Sequence, residues 1–593
     1  MKIFLTKVKN QLQKNKKPNQ FLGEWCWPDN KSKNNEQTIN YHWNNRKKLK
    51  RDYYKLLKIY EITLDALAKK LNLIHKKSYS KRFWRILVGA WLLYFIQICF
   101  DRWFMIKQAI KEKRKFTATF SIISKQKSVP ENMKEFVQLI STDEYNGFIF
   151  KEVLEFIKNK NIIINAQKVK NNKKNNYKLN LQWKEKCKTL ANLIKKLFRC
   201  IYLNNKVFIY KSCLNHLNEL LLNIIIKNFA PFSFQQVQKS SKERKLNIFI
   251  RSQKIKIQKT NLICFSKFLE KSVIKNIPLA YLEKFQELNE SSLKQSWPTH
   301  PKVIFTTNGY LHDEEFKLYA ARCTESGSTF LIAQHGGGFG LTSWQADEYH
   351  QKCIADHFLT WGWREKNNSK ALPFGIIPDY AEINLKAKTN GDALLVGLSI
   401  PRYSYRMFSF PVSSCQWSHY FSNIQTFADS LDGNIKKALL VRFEKNSYGH
   451  FEKERCVNKS LNLRFDDGNL SIQEKLKKSR ICICTYNGTT FLETFAANFP
   501  TIVFWDPKQF ELRENAKKSF QKLAEAGVFF ENPKSAAQFL NTSWNHIDEW
   551  WKSRKVQNAV AQFTKKYALR RQNKIKNLAC IIKKFLRKEK YAF

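Results

Sequence analysis

Residues 481–493 read ICICTYNGTTFLE, and this stretch decides the fold. An apolar run from Ile481 to Cys484 leads through a short polar turn into a helical pattern that begins at Phe491. Residues 330–338, FLIAQHGGG, begin in the same way, with an apolar run followed by a glycine-rich turn. A nearly continuous apolar strand followed by a loop and a helix is typical of a parallel sheet that is covered on both faces.

This alternation of strands and helices extends through the second half of the chain. The predicted strands are Val303 to Thr306, Phe330 to Ala333, Phe358 to Trp361, Ala393 to Leu398, Ala438 to Phe443, Ile481 to Cys484 and Thr501 to Trp505. The predicted helices between them include Glu314 to Thr324, Ser418 to Ser430, Phe491 to Ala497 and Leu512 to Ala526. Ligands of such sheets bind beyond the carboxyl ends of the strands, so the loops after these strands are the places to look for chemistry.

The first half of the chain reads as helical and irregular. Apolar residues recur every three or four positions from Tyr53 to Leu71, which predicts an amphipathic helix. The apolar stretch from Ile86 to Phe100 is shorter than the ~20 residues of a spanning helix, so we expect a buried helix there. Residues 158–196 are rich in Lys and Asn and predict a surface insertion, and Leu214 to Ile226 is again helical.

The charge is strongly unbalanced, with 104 Lys and Arg against 49 Asp and Glu, a net charge of +55. Such a surplus attracts nucleic acid, anionic membranes or phosphorylated substrates, but an AT-rich codon bias toward Lys and Asn gives the same composition. The 13 cysteines show no C-x-x-C or other metal-ligand spacing, and the first twenty residues contain no apolar signal core. These features predict a cytoplasmic protein with reduced thiols.

The first candidate site is the loop Gln334 to Gly338. Gly336, Gly337 and Gly338 would let backbone amides approach a phosphate closely. His335, at the mouth of the loop, is of the residue type that takes a proton from a hydroxyl near neutral pH or, when protonated, binds phosphate. The alternative is a flexible turn with an incidental histidine.

The second candidate site is the loop Thr485 to Thr490. Thr490 and Glu493 have the spacing of a capping box, which predicts that a helix begins here. The free amides of a helix N-terminus form a natural diphosphate site, to which Asn487, Gly488, Thr489 and Thr490 would contribute. Glu493 would accept a hydrogen bond from a ribose hydroxyl, or would only complete the cap.

A third group is cationic and also follows predicted strands. Arg402 and Arg406 come after the strand ending at Leu398, while Arg442 and Lys445 lie at the end of the strand Ala438 to Phe443. Cations at the ends of neighbouring strands would converge on an anionic ligand. No Asp-x-Asp pair is present, which argues against a metal-dependent nucleotide-sugar enzyme, so neither a metal site nor a cofactor is predicted.

Several of these segments together resemble a family of transferases from surface-polysaccharide gene clusters. The resemblance runs from about residue 20 to residue 560 and fits least well around 158–196. It is carried by Phe21 to Cys26, Tyr41 to Trp43, Asn72 to His75, Trp84 to Leu87, Gln334 to Gly340, Trp361 to Trp363, Pro401 to Tyr403 and Asn487 to Glu493.

More distantly, the second half is similar to glycosyltransferases of the B-type fold, including capsule-polysaccharide and glycerophosphate transferases. That resemblance implies two Rossmann-like domains facing a cleft, with the nucleotide donor held mainly by the C-terminal one and His335 in the position of a cleft-facing histidine. Arg442 stands where related enzymes carry an Arg-Pro-His-Pro-like segment, but the His-Pro is missing here.

We therefore predict an α/β fold of the glycosyltransferase B type with a helical N-terminal region. The predicted divisions are a helical N-terminal part (1–240) that contains the insertion, an acceptor-side Rossmann-like core (241–385), a Rossmann-like nucleotide-donor domain (386–570) and a basic tail (571–593).

The predicted function is transfer of a sugar or polyol phosphate from a nucleotide-activated donor to a polysaccharide or lipid-linked hydroxyl acceptor, without a metal. His335 is the predicted base, and Arg402 or Arg442 would assist the donor phosphates. The enzyme would be cytoplasmic, with its positive charge holding it at the anionic inner face of the membrane.

Two alternatives stay open. One is a nucleotide-sugar epimerase or hydrolase on the same fold, which would turn over its substrate without an acceptor. The other is a non-catalytic scaffold that binds RNA or anionic lipid. Nucleic-acid binding of that kind would show a steep salt dependence and no stabilisation by nucleotides.

Overall fold

The computed structural model describes residues 1–7, 20–27, 37–168, 202–229, 244–258, 260–365, 370–381, 384–399, 402–445, 452–453 and 463–587. Residues 169–196 of the predicted insertion, Pro401 and residues 588–593 of the predicted tail lie outside these ranges.

Sixteen strands in the described residues form three sheets, and every strand pairing within them is parallel. The N-terminal sheet has the order β3-β2-β1-β4-β5 and contains β1 (Lys2–Phe4), β2 (Gln20–Phe21), β3 (Gln37–Thr38), β4 (Phe116–Ile122) and β5 (Ile162–Lys168). The middle sheet has the order β10-β9-β8-β7-β6 and contains β6 (Val207–Tyr210), β7 (Val303–Thr306), β8 (Thr329–Ala333), β9 (His357–Thr360) and β10 (Ala371–Pro373). The C-terminal sheet has the order β13-β12-β11-β14-β15-β16 and contains β11 (Asp392–Val396), β12 (Leu439–Arg442), β13 (Arg464–Phe465), β14 (Ser479–Cys484), β15 (Thr501–Phe504) and β16 (Phe529–Phe530).

Helices surround these sheets. The first half contains α1 (Arg46–His75), α2 (Lys81–Glu112), α3 (Lys125–Ser128), α4 (Met133–Leu139), α5 (Asp143–Ile157), α6 (His216–Ile225), α7 (Ile248–Ser252), α8 (Ile263–Asn276) and α9 (Phe285–Lys294). The second half contains α10 (Gly309–His312), α11 (Glu314–Glu325), α12 (Ala346–Ile354), α13 (Ser414–Asp429), α14 (Gly433–Ala438), α15 (Ile472–Leu476), α16 (Thr489–Ala496), α17 (Glu514–Glu525), α18 (Pro533–Ser543), α19 (Ile547–Lys552), α20 (Arg554–Tyr567) and α21 (Lys574–Arg587).

The C-terminal sheet has the strand order of a Rossmann fold, in which the order reverses between the first and fourth strands, here β11 and β14. The loops that follow these two strands therefore flank a topological switch point, where α/β proteins bind ligands. All seven predicted strands of the second half are present, and the prediction of an α/β fold with two Rossmann-like units facing a cleft is confirmed.

The N-terminal region departs from the prediction, because it contains a five-stranded sheet besides its helices. The segment Ile162–Lys168, which we expected to start a surface insertion, is the edge strand β5 and pairs along its whole length with β4. Its sequence IIINAQK has no alternation of apolar and polar residues, and Ile163 and Ile164 are exposed on this edge strand, so the segment lacks the usual strand pattern.

Helix α2 fills the centre of the molecule, and the expectation of a buried helix is confirmed, since every residue from Ile86 to Phe100 is buried. Within the described ranges, α2 is the one helix with the length and apolar composition to cross a membrane, and 94% of its most apolar stretch lies inside the protein.

The predicted basic tail is a packed helix over the described part of its length. Ile575, Leu578 and Ile582 of α21 join the buried cluster on one face of the middle sheet. The i, i+3, i+7 spacing of these residues gives the helix an apolar stripe, which the abundance of Lys conceals in the composition.

The middle and C-terminal sheets belong to two lobes that are joined by a seam, which we define as residues 341–345 of the middle lobe and 511–513 of the C-terminal lobe. Across the seam, the Ser343 amide donates to the Glu511 carbonyl (2.9 Å) and the Arg513 amide donates to the Leu341 carbonyl (2.8 Å). Arg46 of α1 binds the Glu511 carboxylate with both Nε (2.7 Å) and Nη2 (2.6 Å). The seam begins three residues after the glycine-rich loop and so fixes that loop relative to the C-terminal lobe.

Candidate active site

A cavity of about 430 Å³ lies between the lobes, where the loop after β8 meets the start of α16. Its size is within the range of small-molecule sites. It is lined by Ala90, Tyr94, Tyr310, Leu311, His335, Gly336, Gly337, Phe339, Gln345, Asp347, His350, Gln351, Tyr380, Arg406 and Thr489. The structure thus brings together the predicted base His335 and one residue of the predicted donor loop, Thr489; the other predicted donor-loop residues, Asn487, Gly488, Thr490 and Glu493, are not among the lining residues.

His335 is partly buried at the end of β8, and its Nδ1 atom has no hydrogen-bond partner among the described residues. Burial lowers the pKa of His335 below its usual 6.5, and the charge of Asp347 offsets this only in part. A lowered pKa leaves the imidazole neutral near pH 7, which is the form that accepts a proton from a hydroxyl group. Its backbone carbonyl is fixed by the Tyr380 hydroxyl.

The three glycines allow the two predicted loops to touch. The Gly337 amide donates to Thr489 Oγ1 (2.7 Å), and a Cβ atom on Gly336 would lie 2.8 Å from the same oxygen. A Cβ atom on Gly338 would lie 2.9 Å from the Asn487 carbonyl oxygen. The sequence suggested glycines for the approach of a phosphate; in the structure, the close approach is between the two loops.

Helix α16 begins at Thr489, two residues earlier than the capping-box pattern implies. Gly488 is the N-cap, and it caps without a side chain, so the predicted capping box of Thr490 and Glu493 is wrong. The same spacing at Ser471 and Glu474 does form one, at the start of α15. Because the N-cap is a glycine, the amides of the first turn of α16 have no side-chain cap.

Glu493 is therefore not used in a cap. The structure gives its carboxyl group no hydrogen bond or ion pair to a described residue, and burial raises its pKa from 4.5 to about 8. It lies near Tyr380 and Tyr486, whose pKa values its charge would raise. Near pH 7 the side chain is neutral, so it adds no negative charge beside the predicted phosphate site.

Asn487 is fully buried, and its amide atoms have no partner among the described residues.

Only one of the four predicted cations reaches the cavity. Arg406 lines it and forms an ion pair with Asp347, which also accepts from the Tyr94 hydroxyl. Arg402 is buried elsewhere, where its Nη2 binds Asp143 at 2.6 Å.

The remaining two cations lie at the end of β12, away from the cavity wall. Arg442 binds the carboxylate of Asp466 and donates to the Leu470 carbonyl (2.9 Å). Lys445 contacts Asn469 Oδ1 at 3.3 Å in an exposed position. Both side chains bind residues of the loop that follows β13, and neither lines the cavity with His335.

The model of the protein family described as LIC12162 family transferase matches the chain over residues 1–582. The chain belongs to this family. Its membership confirms the predicted transferase class. No curated protein matches the chain.

The solved structures that are similar to this LIC12162 family transferase include two of one enzyme. These two are the spinosyn rhamnosyltransferase SpnG complexed with spinosyn aglycone, at 11% identity, and the same enzyme described without that ligand, at 10%. Each alignment covers 51% of this chain and 80% of the other, with a TM-score of 0.25. A likeness this slight carries no argument about the reaction.

Several residues that line the cavity of this transferase were not predicted from the sequence. Asp347, His350 and Gln351 share one face of α12, the first helix after the glycine-rich loop, and their i, i+3, i+4 spacing was a usable signal. Tyr94 lies within the apolar stretch of α2 and cannot be distinguished there from a core residue.

The N-terminal signature segments are structural. Trp25 Nε1 donates to the Leu5 carbonyl (3.0 Å), Tyr41 donates to Asp101 (2.7 Å), and Trp43 Nε1 donates to Asp52. They join the N-terminal sheet to α1 and α2. Within the described ranges, no cluster of three or more His, Cys, Asp or Glu side chains could hold a metal ion, and metal independence stays a prediction.

Proposed function

We propose that this protein transfers a sugar from a nucleotide-activated donor to a hydroxyl acceptor in surface-polysaccharide synthesis. One observation supports the proposal: the neutral imidazole of His335 from one lobe and the helix N-terminal residue Thr489 from the other line the same cavity, and the Gly337 amide donates to Thr489 Oγ1 at 2.7 Å.

The donor diphosphate would bind at the start of α16. That end of the helix follows β14 at the switch point, and its first-turn amides and the positive end of its dipole suit an anion. The protonated Glu493 supports this placement, because an ionised carboxylate there would repel the phosphates.

His335 would take the proton from the acceptor hydroxyl as it attacks the anomeric carbon. The bond from that carbon to the donor phosphate breaks, and the nucleoside diphosphate leaves with the electron pair. Positioning in the cavity and stabilisation of the leaving phosphate would supply most of the rate. The proposed reaction needs no metal.

The acceptor is proposed to be a polysaccharide or a lipid-linked saccharide at the inner face of the cytoplasmic membrane. The net charge of +55 supports this location, because basic proteins are attracted to anionic lipid surfaces.

The test combines binding and transfer. Nucleoside diphosphates and their sugar conjugates are first screened for thermal stabilisation of the protein. Transfer from the donor found is then compared between wild type and His335→Ala. The control is His546→Ala, which changes an exposed histidine between α18 and α19 that does not line the cavity.

His335→Ala should lower the transfer rate by about 10²–10⁴-fold, the usual contribution of a general base, and should keep the nucleotide-induced stabilisation. Full transfer activity in His335→Ala would show that this residue is not the base. If no nucleotide stabilises the protein, the proposal of a nucleotide-activated donor is rejected.

A further inference from the structure

One wall of the cavity carries polar side chains that have no hydrogen-bond partner. On α12, His350 is 3% exposed and Gln351 is 0% exposed, and both line the cavity. Neither ring nitrogen of His350 and neither amide atom of Gln351 has a hydrogen-bond partner among the described residues. Buried polar atoms are almost always hydrogen-bonded, so four such atoms on one wall point to a ligand.

This wall has no net charge. The carboxylate of Asp347, one turn before His350, is held by Arg406 and by the Tyr94 hydroxyl, so its charge is compensated within the protein. Burial lowers the pKa of His350 to about 3, with the nearby charges of Lys317 and Arg85 acting in the same direction, so the ring is neutral in the physiological range. Lys317 is itself neutralised by Glu314 at 2.7 Å, and Arg85 by Glu61.

The chemistry of these groups specifies what they can bind. A neutral imidazole offers one donor and one acceptor, and the Gln351 amide offers donors on nitrogen and acceptor sites on oxygen. A hydroxyl group both donates and accepts, so several hydroxyls on one ring match this set. A carboxylate or phosphate only accepts and is bound best by cations, and Arg406, the cation of the cavity wall, is already paired.

The other lining residues also suit a sugar ring. Phe339, Leu311 and Ala90 give the cavity apolar surface beside the polar wall. The C–H faces of a sugar ring pack on such surface while its hydroxyls point to polar partners.

We propose that the α12 wall, formed by His350 and Gln351, is a subsite for an uncharged, polyhydroxylated ring, and that it selects neutral sugars over uronic acids and polyol phosphates. Assigning the ring to the donor or to the acceptor rests on the proposed function, whereas binding of the ring does not. The α12 wall thereby sets the substrate class and is separate from the phosphate site at α16.

Saturation-transfer difference NMR on the full chain tests this proposal, because it detects weak ligands of large proteins. The probes are methyl glucoside, methyl galactoside, methyl mannoside and methyl rhamnoside, each at about the same millimolar concentration, compared with glucuronate and glycerol 3-phosphate. The variants are Gln351→Met and His350→Phe, which remove the hydrogen-bonding atoms, and Gln521→Met is the matched control on the exposed face of α17.

At least one neutral glycoside should give a signal that exceeds those of both anions. Loss of a hydrogen bond to a buried polar group costs about 1–3 kcal/mol, so the affinity should fall at least about fivefold in each α12 variant and stay unchanged in Gln521→Met. Equal signals in wild type and the α12 variants, a stronger signal from either anion, or no signal from any neutral glycoside would overturn the proposal. The comparison among ligands in wild type decides the outcome even if a variant fails to fold.

Competition then assigns the source of the ring. Displacement of the glycoside by a mixture of UDP-, dTDP-, GDP- and CDP-sugars, but not by the matching diphosphates, assigns the subsite to the donor sugar. Retention of the glycoside in both mixtures assigns it to the acceptor sugar. Both results support the subsite, and a transfer assay that fails would reject the proposed function without altering either.

Discussion

The Glu493→Gln substitution should change how the stability of the protein depends on pH. The pKa of Glu493 is about 8 in the folded protein against 4.5 for an ordinary glutamate. At about 1.4 kcal/mol per pH unit, that difference corresponds to about 5 kcal/mol between the two protonation states. Because the side chain is partly exposed and water screens part of the effect, we expect about half of this value.

The direction follows from the protons bound in each state. Between about pH 5 and pH 8 the folded protein keeps the Glu493 proton while the unfolded chain has lost it, so the free energy of unfolding falls as pH rises through this window. Glutamine does not titrate. The advantage of Glu493→Gln over wild type should therefore grow by about 1–2 kcal/mol from pH 6 to pH 8 and level off above pH 8.

Urea unfolding of both proteins at pH 6, 7, 8 and 9 measures this difference. Glu474→Gln is the control, since hydrogen bonds from Ser471 lower the pKa of Glu474 and the group is ionised in both states throughout this range. If the stability difference between Glu493→Gln and wild type is the same at every pH, the carboxyl group is not protonated in the folded protein and the argument fails.

Two further substitutions test the placement of the loops and cations. Gly338→Ala should lower the transfer rate at least about tenfold, because the new Cβ atom would lie 2.9 Å from the Asn487 carbonyl oxygen and force the two loops apart. The control Gly433→Ala should keep full activity in the same assay, because its Cβ atom would meet nothing within 4 Å. Arg402→Ala should destabilise the protein by about 3 kcal/mol in urea unfolding, because it strands the charge of Asp143, while KM for the donor stays unchanged. A raised KM at normal stability would instead return Arg402 to the donor site.

The parts of the fold predicted from sequence are those in which one segment carries a whole pattern. The strands β7, β8 and β14 are runs of four to six mostly apolar residues, and each is followed by a helix with its own period. In the N-terminal sheet, which was not predicted, β1, β2 and β3 have only two or three residues each, whereas β4 and β5 have seven each and were overlooked. Strands as short as β1, β2 and β3 contain no period, and their partners lie elsewhere in the chain, as for Ile3, which pairs with Gln20 on one side and with Ala118 on the other.

The candidate site shows the same division. His335 and Thr489 were predicted because each follows a strand whose carboxyl end faces the cleft, and this position is set by topology. The positions of the arginine side chains were not predicted correctly, because the neighbouring sequence does not show which carboxylate an arginine binds. Arg402 and Arg406 are four residues apart, yet one binds Asp143 outside the cavity and the other binds Asp347 inside it.

The contact between Gly337 and Thr489 has a consequence for ligand affinity. A phosphate oxygen that engages either group must first displace an interaction that the protein makes with itself, and a net hydrogen bond contributes about 1 kcal/mol. Competition from this hydrogen bond would therefore raise the dissociation constant of a phosphate ligand about fivefold. A ligand that cannot break this hydrogen bond leaves the loop of His335 anchored to Thr489. Phosphate binding at the start of α16 and movement of the His335 loop are therefore thermodynamically linked through one hydrogen bond.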